Sequence, residues 1–565
     1  MKDLASRARP VAPSSGNSTT RRQFLARIPA GAGAAVASSA VSFRSSAKTG
    51  EGQDDDPGGV STGRVLNSYG IREQAARSET KVPIPRQITN GDERRYSNSN
   101  FIANFSKGLP HNSLGEVDPV AYLSLLNGLG QGTSKALESN IRLGGTTKLV
   151  NPLAGLAFDL EGTDSHQLKI PPFPELKSKA LAVQAVELYW MALCRDVNFS
   201  RYGIDPKTIA AASELGVTAQ TLFRGFTAGD VIGPYVSQFL LKPFKYGPYA
   251  MNGFMTVPNA GDDYLTTEDT WLANQNGQSP VVANPSDKTA RMMRNGRDLA
   301  NYVHTDPNAG LFMSAYNAGV FLFEQNDLLQ KQNKPSLLNP GNPYLRYNTQ
   351  DPFGTFGVPF FLGLIGEAAV RAFKAAWYAK WFVHRALRPD QYGGLVHWTK
   401  KPRKSYPLDS GILISEAAKR VFAAYGTWFL PQAYPEAGPQ HPSYPSGHAT
   451  MAGACATILK AAFDGGAAFA KLADNTVVVA GADGLSPIPV ADPGLTIGGE
   501  IDKLASNIAF GRNFAGIHWR SDAEEGMRLG EAVALSILRD QGDNYPGENF
   551  EGFTITKFDG TTVTV

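Results

Sequence analysis

The sequence predicts a mainly α-helical protein, a helical bundle with few short strands. Apolar residues recur at helical spacing in one long segment after another, strand signals are rare, and 565 residues at 42% hydrophobic content allow a sizeable buried core.

Residues 1–48 come first. The run Thr20-Arg21-Arg22-Gln23-Phe24-Leu25, followed by a weakly apolar Ala/Gly/Ser stretch from Ile28 to Phe43, resembles a twin-arginine export signal. The expected location is therefore outside the cytoplasmic membrane, periplasmic or secreted. Residues 49–98, rich in Gly, Asp, Ser, Arg and Pro, read as a linker and extended arm. An N-terminal helical region is expected over residues 99–354, with helices at Pro119 to Leu129, Leu176 to Val197, Asp287 to Val303 and Asn308 to Lys331. Loops are expected at Met251 to Pro285 and Asn333 to Phe356, long enough to form functional rims or subunit contacts. Residues 355–565 read as a C-terminal bundle with helices at Ile365 to Arg388, Ile412 to Phe429, Ala449 to Phe463 and Ile517 to Leu538. Pro389 forbids continuation of the first of these. Val477 to Val479 reads as a strand, and Thr554 to Val565 as a closing β-hairpin turning at Asp559-Gly560.

Composition excludes several classes of function. Whole-chain net charge is +3, but residues 1–48 hold eight basic residues and one acid, and removing that +7 leaves about −4 for the rest. The remaining charges are interspersed, so neither a nucleic-acid stripe nor a polybasic membrane patch is expected. No later run reaches the length of a membrane span, since Val358 to Gly366 is stopped by Glu367. Cys194 and Cys455 are the only cysteines, too few for a disulfide scaffold. Cys455, in the apolar run Ala452 to Leu459, reads as a small buried hydrophobe.

Three windows supply the parts of an oxyanion site. In Lys380-Trp381-Phe382-Val383-His384-Arg385-Ala386-Leu387-Arg388-Pro389, Lys380 and Arg388 are eight apart. On a helix they would share one face and converge on one anion. In His441-Pro442-Ser443-Tyr444-Pro445-Ser446-Gly447-His448, a Ser-Gly pair opens a helix and presents a hydroxyl, backbone N–H groups and the positive dipole end. His448 then handles the proton. In Gly511-Arg512-Asn513-Phe514-Ala515-Gly516-Ile517-His518-Trp519-Arg520-Ser521-Asp522, Asp522 lies one turn from His518 and is placed to hold the imidazole in one tautomer, while Arg512 adds a cation. Each window alone is also what a basic surface, a helix cap or a structural histidine looks like. Their conjunction is specific.

Lys-x7-Arg-Pro, then Pro-Ser-Gly-His, then Arg-x5-His-x3-Asp resembles the signature shared by vanadium haloperoxidases and the type-2 phosphatidic acid phosphatases. Phe105-Ser106-Lys107-Gly108-Leu109-Pro110-His111 and Gly115-Glu116-Val117-Asp118-Pro119 extend the resemblance to red-algal and cyanobacterial bromoperoxidases. It implies the helical-bundle haloperoxidase fold, one vanadate ion, and oxidation of a halide by hydrogen peroxide to hypohalous acid that halogenates small organic acceptors. It also implies a homo-oligomer. By the same resemblance Lys380, Arg388 and Arg512 surround the vanadate oxygens, Ser446 and the Gly447 amide hydrogen-bond them, His518 ligates vanadium, and His448 is the acid/base. His441 matches a position that is His in algal bromoperoxidases and Phe in fungal chloroperoxidases, which favours bromide. Trp377 instead resembles the chloroperoxidase choice, where the algal enzymes have Arg. The alternative on this scaffold is an acid phosphatase acting through a phosphohistidine at His518. Gly511, where phosphatases usually have Ser, leans away from it.

Overall fold

Helix α9 (Gly447–Ala462) lies at the centre of the compact unit Thr62–Val565, and the elements around it position the site. The structure is a computed structural model that describes residues 62–278, 286–305, 312–545 and 547–565, so the twin-arginine-like segment lies outside the described residues. In chain order the other helices that bear on the site and its frame are α1 (Thr62–Glu79), α2 (Pro119–Gln131), α3 (Lys179–Leu193), α4 (Gly296–Thr305), α5 (Met313–Lys331), α6 (Val358–Tyr378), α7 (Pro389–Lys400), α8 (Glu416–Tyr425), α10 (Ile497–Phe514) and α11 (Arg520–Gly542). Four two-stranded antiparallel ribbons complete the described part. They are β1 (Phe244–Tyr246) with β2 (Tyr249–Met251), β3 (Phe254–Pro258) with β4 (Ser286–Met292), β5 (Val477–Ala480) with β6 (Pro487–Val490), and β7 (Thr554–Thr556) with β8 (Thr562–Thr564). The last is the expected hairpin, with Gly560 at φ 82° in its turn.

Central burial of α9 follows from its residues. It is almost entirely Ala, Gly, Thr and other small or apolar side chains, and it packs on α11, α6 and α10. Contact with α11 is close enough that a Cβ on Gly530 would meet the Thr450 carbonyl oxygen at 1.9 Å, and one on Gly453 the Met527 oxygen at 2.2 Å. Cys455 is buried here, with its thiol against the Ile365 carbonyl, and burial pushes the thiol up. Residues on both sides of position 354 belong to one compact unit, Thr62–Val565. No helix among the described residues is long and apolar enough to cross a membrane.

Three readings need correction. Within the expected arm, residues 62–79 form α1, because i,i+4 contacts such as Glu73 with Arg77 support a helix that composition alone concealed. Within the expected helix from Asp287, residues up to Met292 form β4 against β3; the helix begins only at Gly296, where the Asn295 side chain accepts from the Asp298 N–H at 2.9 Å. The loop expected from Met251 to Pro285 contains β3 and a short helix, Glu268–Gln275.

Candidate active site

Four parts of the chain converge at the N-terminus of α9. After α6 the backbone widens into a π-type turn, Ala379–His384, and Arg385 then sits in the left-handed region at φ 41°. Arg388 is extended (φ −81°, ψ 155°) and precedes Pro389, the first residue of α7. Lys380 and Arg388 are therefore not on one helical face, as their spacing predicts. They meet across a break, and both are fully buried. Lys380 Nζ donates to the carbonyls of Pro442 at 2.7 Å and Ser443 at 2.6 Å. Arg388 donates from Nε to the His441 carbonyl at 3.0 Å and from Nη1 to the Ile517 carbonyl at 2.8 Å. Its Nη1 is also 3.1 Å from His518 Nε2, and its Nη2 is 2.9 Å from His441 Nδ1.

Ser446 caps α9, accepting from the Ala449 N–H at 3.3 Å, while its own N–H donates to the Asp522 carbonyl at 2.9 Å. The next position has room only for glycine, since a Cβ on Gly447 would lie 2.9 Å from Trp377 Cζ3. His448, in the first turn, places Nε2 3.1 Å from the Val303 carbonyl at the end of α4. Arg512, in the last turn of α10, donates from Nη1 to that same carbonyl at 2.9 Å. Its Nε is buried without a partner. His518 lies in the turn before α11, outside the helix, yet its Nδ1 is 2.7 Å from Asp522 Oδ2, as the spacing predicts. That oxygen also accepts from the Ser443 hydroxyl and from the Trp519 N–H at 3.1 Å.

The electrostatics are lopsided. Lys380, Arg388 and Arg512 are all buried, and Asp522 is the carboxylate set among them. Burial, reinforced by Arg388 and Arg512, holds the Lys380 ammonium well below its usual range. Burial likewise brings Arg388 down to about 9, with Arg512 adding to the effect. Burial pushes Asp522 up to about 6 against the opposing Ser443 hydrogen bond and the Lys380 charge. Burial and the nearby cations hold His518 and His441 well below the ordinary histidine value, so both rings are neutral. With Nδ1–H given to Asp522, the Nε2 lone pair of His518 points into the cationic pocket. A buried cluster with excess positive charge, an unpartnered guanidinium N–H and a helix N-terminus has the chemistry to hold a compact oxyanion.

Further groups line the site, and the first of them carry no signal in the sequence. Val303 acts through its carbonyl alone. His304 stacks on Tyr434 (centroids 3.9 Å apart) and pairs with Glu436, while Arg512 lies 5.7 Å from the Tyr434 ring on the way to the pocket. His441 packs on Trp377 at 4.8 Å, and the Trp377 Nε1–H donates to the Val150 carbonyl at 3.0 Å. His384, near Lys380 in sequence, packs edge-on against Tyr444 at 4.9 Å, with both ring nitrogens buried and unpartnered.

Comparison with known proteins gives the family. The model of the VCPO second helical-bundle domain matches residues 361–541. A vanadium-dependent bromoperoxidase of Ascophyllum nodosum is 34% identical over 85% of this chain and 89% of its own length. The chain belongs to the vanadium-dependent haloperoxidase family. Another relative of this haloperoxidase, the vanadium-dependent bromoperoxidase of Corallina pilulifera, is 32% identical over 89% of this chain and 98% of its own. Among solved structures, the second vanadate-dependent bromoperoxidase of A. nodosum, a homohexamer, superposes with a TM-score of 0.82 at 29% identity, covering 92% of each chain. Every oxyanion-site residue named from the haloperoxidase resemblance, from Lys380 to His518, lies inside the 361–541 match.

Proposed function

We infer that this chain holds one vanadate ion and uses hydrogen peroxide to oxidise a halide, bromide being favoured, to hypohalous acid that halogenates small organic acceptors. The observation that carries this reading is the meeting of three buried cations and one neutral imidazole nitrogen, His518 Nε2, at a helix N-terminus, with Asp522 bonded to the other nitrogen of that ring. Vanadate fits that donor set. The unpartnered Arg512 Nε is an orphan donor that an anion satisfies, and Gly447 opens α9, where first-turn N–H groups have no acceptor within the helix. Lys380, Arg388 and Arg512 would neutralise the oxyanion, Ser446 and the Gly447 N–H would orient it, and His518 Nε2 would be its protein ligand. Bound vanadate supplies a Lewis-acidic centre that withdraws electron density from peroxide.

His448 holds its proton at Nε2 against the Val303 carbonyl, at the side of the pocket lined by Arg512. It is the group placed to give and take that proton. His441, clamped between Arg388 and Trp377, shapes the halide approach and favours bromide, in keeping with relatives that are bromoperoxidases. The test is bromination of a phenol-red type dye with peroxide, bromide and vanadate, set beside hydrolysis of a chromogenic phosphate ester. Dye bromination without ester turnover is expected, and the opposite result overturns the reading in favour of the phosphatase. Export by the twin-arginine route is proposed from Arg21-Arg22 and the stretch that follows. A homo-oligomer is proposed from the homohexameric relative, to be checked by light scattering.

A further inference from the structure

A fourth buried cation stands behind the site. Lys107 comes from the segment before α2, far from the signature windows, and is 0% exposed. Its ammonium donates to the Glu436 carbonyl at 3.2 Å and to the Gly438 carbonyl, and lies 3.4 Å from the Asp390 carboxylate. Asp390, two residues after Arg388, is fixed by Gln275 Nε2 at 2.9 Å, and its carbonyl accepts from Trp271 Nε1 at 2.9 Å. Gly438 presses on Arg388, since a Cβ there would lie 3.2 Å from Arg388 Cδ. Three residues on, His441 accepts from Arg388 Nε through its carbonyl and meets Nη2 with its ring.

Burying an ammonium beside a buried guanidinium is costly, and a neutral side chain of similar length would fill the space without that cost. What such a side chain lacks are the N–H donors that gather two carbonyls of the 436–438 turn and the carboxylate next to Arg388. We propose that Lys107 is a positioning residue, holding the turn that runs from Glu436 to His441 against Arg388 and so setting the guanidinium where the oxyanion needs it. The inference rests on the vanadate reading of the site.

The experiment compares Lys107→Met, Lys107→Met with Asp390→Asn, and wild type. Vanadate affinity is measured by equilibrium dialysis, and the urea midpoint of the vanadate-free protein by fluorescence. Loss of an interaction that orients a metal-site group costs about 10- to 100-fold in affinity, and Lys107→Met is expected to weaken vanadate binding within that range. The double variant removes the unpaired carboxylate, so it is expected to regain stability but not affinity. Affinity that is unchanged in the single variant, or restored with stability in the double one, shows that Lys107 merely neutralises Asp390 and overturns the proposal. If neither variant folds, Gly438→Ala decides. It pushes the turn off Arg388 directly, and unchanged vanadate affinity there overturns the proposal too. Failure of wild type to bind vanadate refutes the parent reading instead, because Lys107 is intact in that protein.

Discussion

Arg512→Met separates the energy of holding an ion from the energy of holding the fold. In the ion-free protein Arg512 is a liability, since it adds to the repulsion felt by both Lys380 and Arg388. Two unit charges at an effective dielectric of ~20 repel by ~4 kcal/mol at ~4 Å and by half that at twice the separation. The substitution also loses one hydrogen bond to the Val303 carbonyl, worth ~1.5–3 kcal/mol for a charged donor. That carbonyl keeps His448 Nε2 as a partner at 3.1 Å. The two effects nearly cancel, so the urea midpoint of the ion-free protein is expected to stay close to wild type. With vanadate the balance changes, because one charge-assisted bond to the ion is gone. At ~1.4 kcal/mol per decade, its loss weakens binding ~10- to 100-fold. Ligand-linked stabilisation follows RT ln(1 + [L]/Kd), so at a vanadate concentration ~100 times the wild-type Kd it falls from ~2.7 kcal/mol to ~0.9 kcal/mol for a 30-fold weaker site. Urea titrations with and without orthovanadate measure both numbers. A vanadate-linked shift equal to wild type would refute the placement of Arg512 at the ion, and an equal drop with and without vanadate would make its role structural.

Replacing His518 with Ala is expected to abolish vanadate retention and bromination together, whereas His448→Ala spares more ion binding than turnover; equal losses in the second variant contradict its role as proton handler. Gly447→Ala forces a methyl to 2.9 Å from Trp377, and overpacking of this kind costs ~1–3 kcal/mol, to be read as lower stability with weaker vanadate binding. In the ion-free protein His518 and His441 titrate well below their ordinary value of 6.5. The unfolded chain therefore takes up protons first, and the stability these rings contribute, full above pH 6.5, is lost as pH falls, by up to ~1.4 kcal/mol per ring per pH unit. Asp522, raised to about 6 from 3.8, works the other way: stability grows as pH falls through that window, so it offsets one of the two rings there. Urea midpoints between pH 7 and pH 5 that do not fall on acidification contradict the neutral, buried state of these histidines.

The chemistry was legible in the sequence wherever it resides in side chains at short range. Ser446 and Gly447 open a helix because a hydroxyl and a missing Cβ are what that terminus needs. His518 and Asp522 meet at 2.7 Å, although His518 stands outside the helix its spacing implied. Lys380 and Arg388 both bond to the 441–443 segment, but not from one helical face, because neither a π-type turn nor a left-handed Arg385 leaves a mark on hydrophobic periodicity. Helix α10, which carries Arg512, went unread for a different reason. Its buried face includes Glu500 and Lys503, which pair with each other, and Ser506 and Asn507, which donate to Asp230 and the Tyr235 carbonyl, so the apolar stripe is interrupted.

The least legible part of the site is what holds its cations. Their partners are carbonyl oxygens of Pro442, Ser443, His441, Ile517 and Val303, and a carbonyl looks the same whatever side chain it accompanies. These positions therefore contribute through backbone path rather than residue type, and Val303→Ala distinguishes the two. Removing its fully buried side chain leaves a cavity costing on the order of 2 kcal/mol of stability. The carbonyl that His448 and Arg512 share remains, so vanadate affinity is expected to match wild type. Should affinity fall along with stability in that variant, the backbone does not hold its place without the side chain. Arg512 would then be positioned by packing around α4 rather than by hydrogen bonding to its last turn.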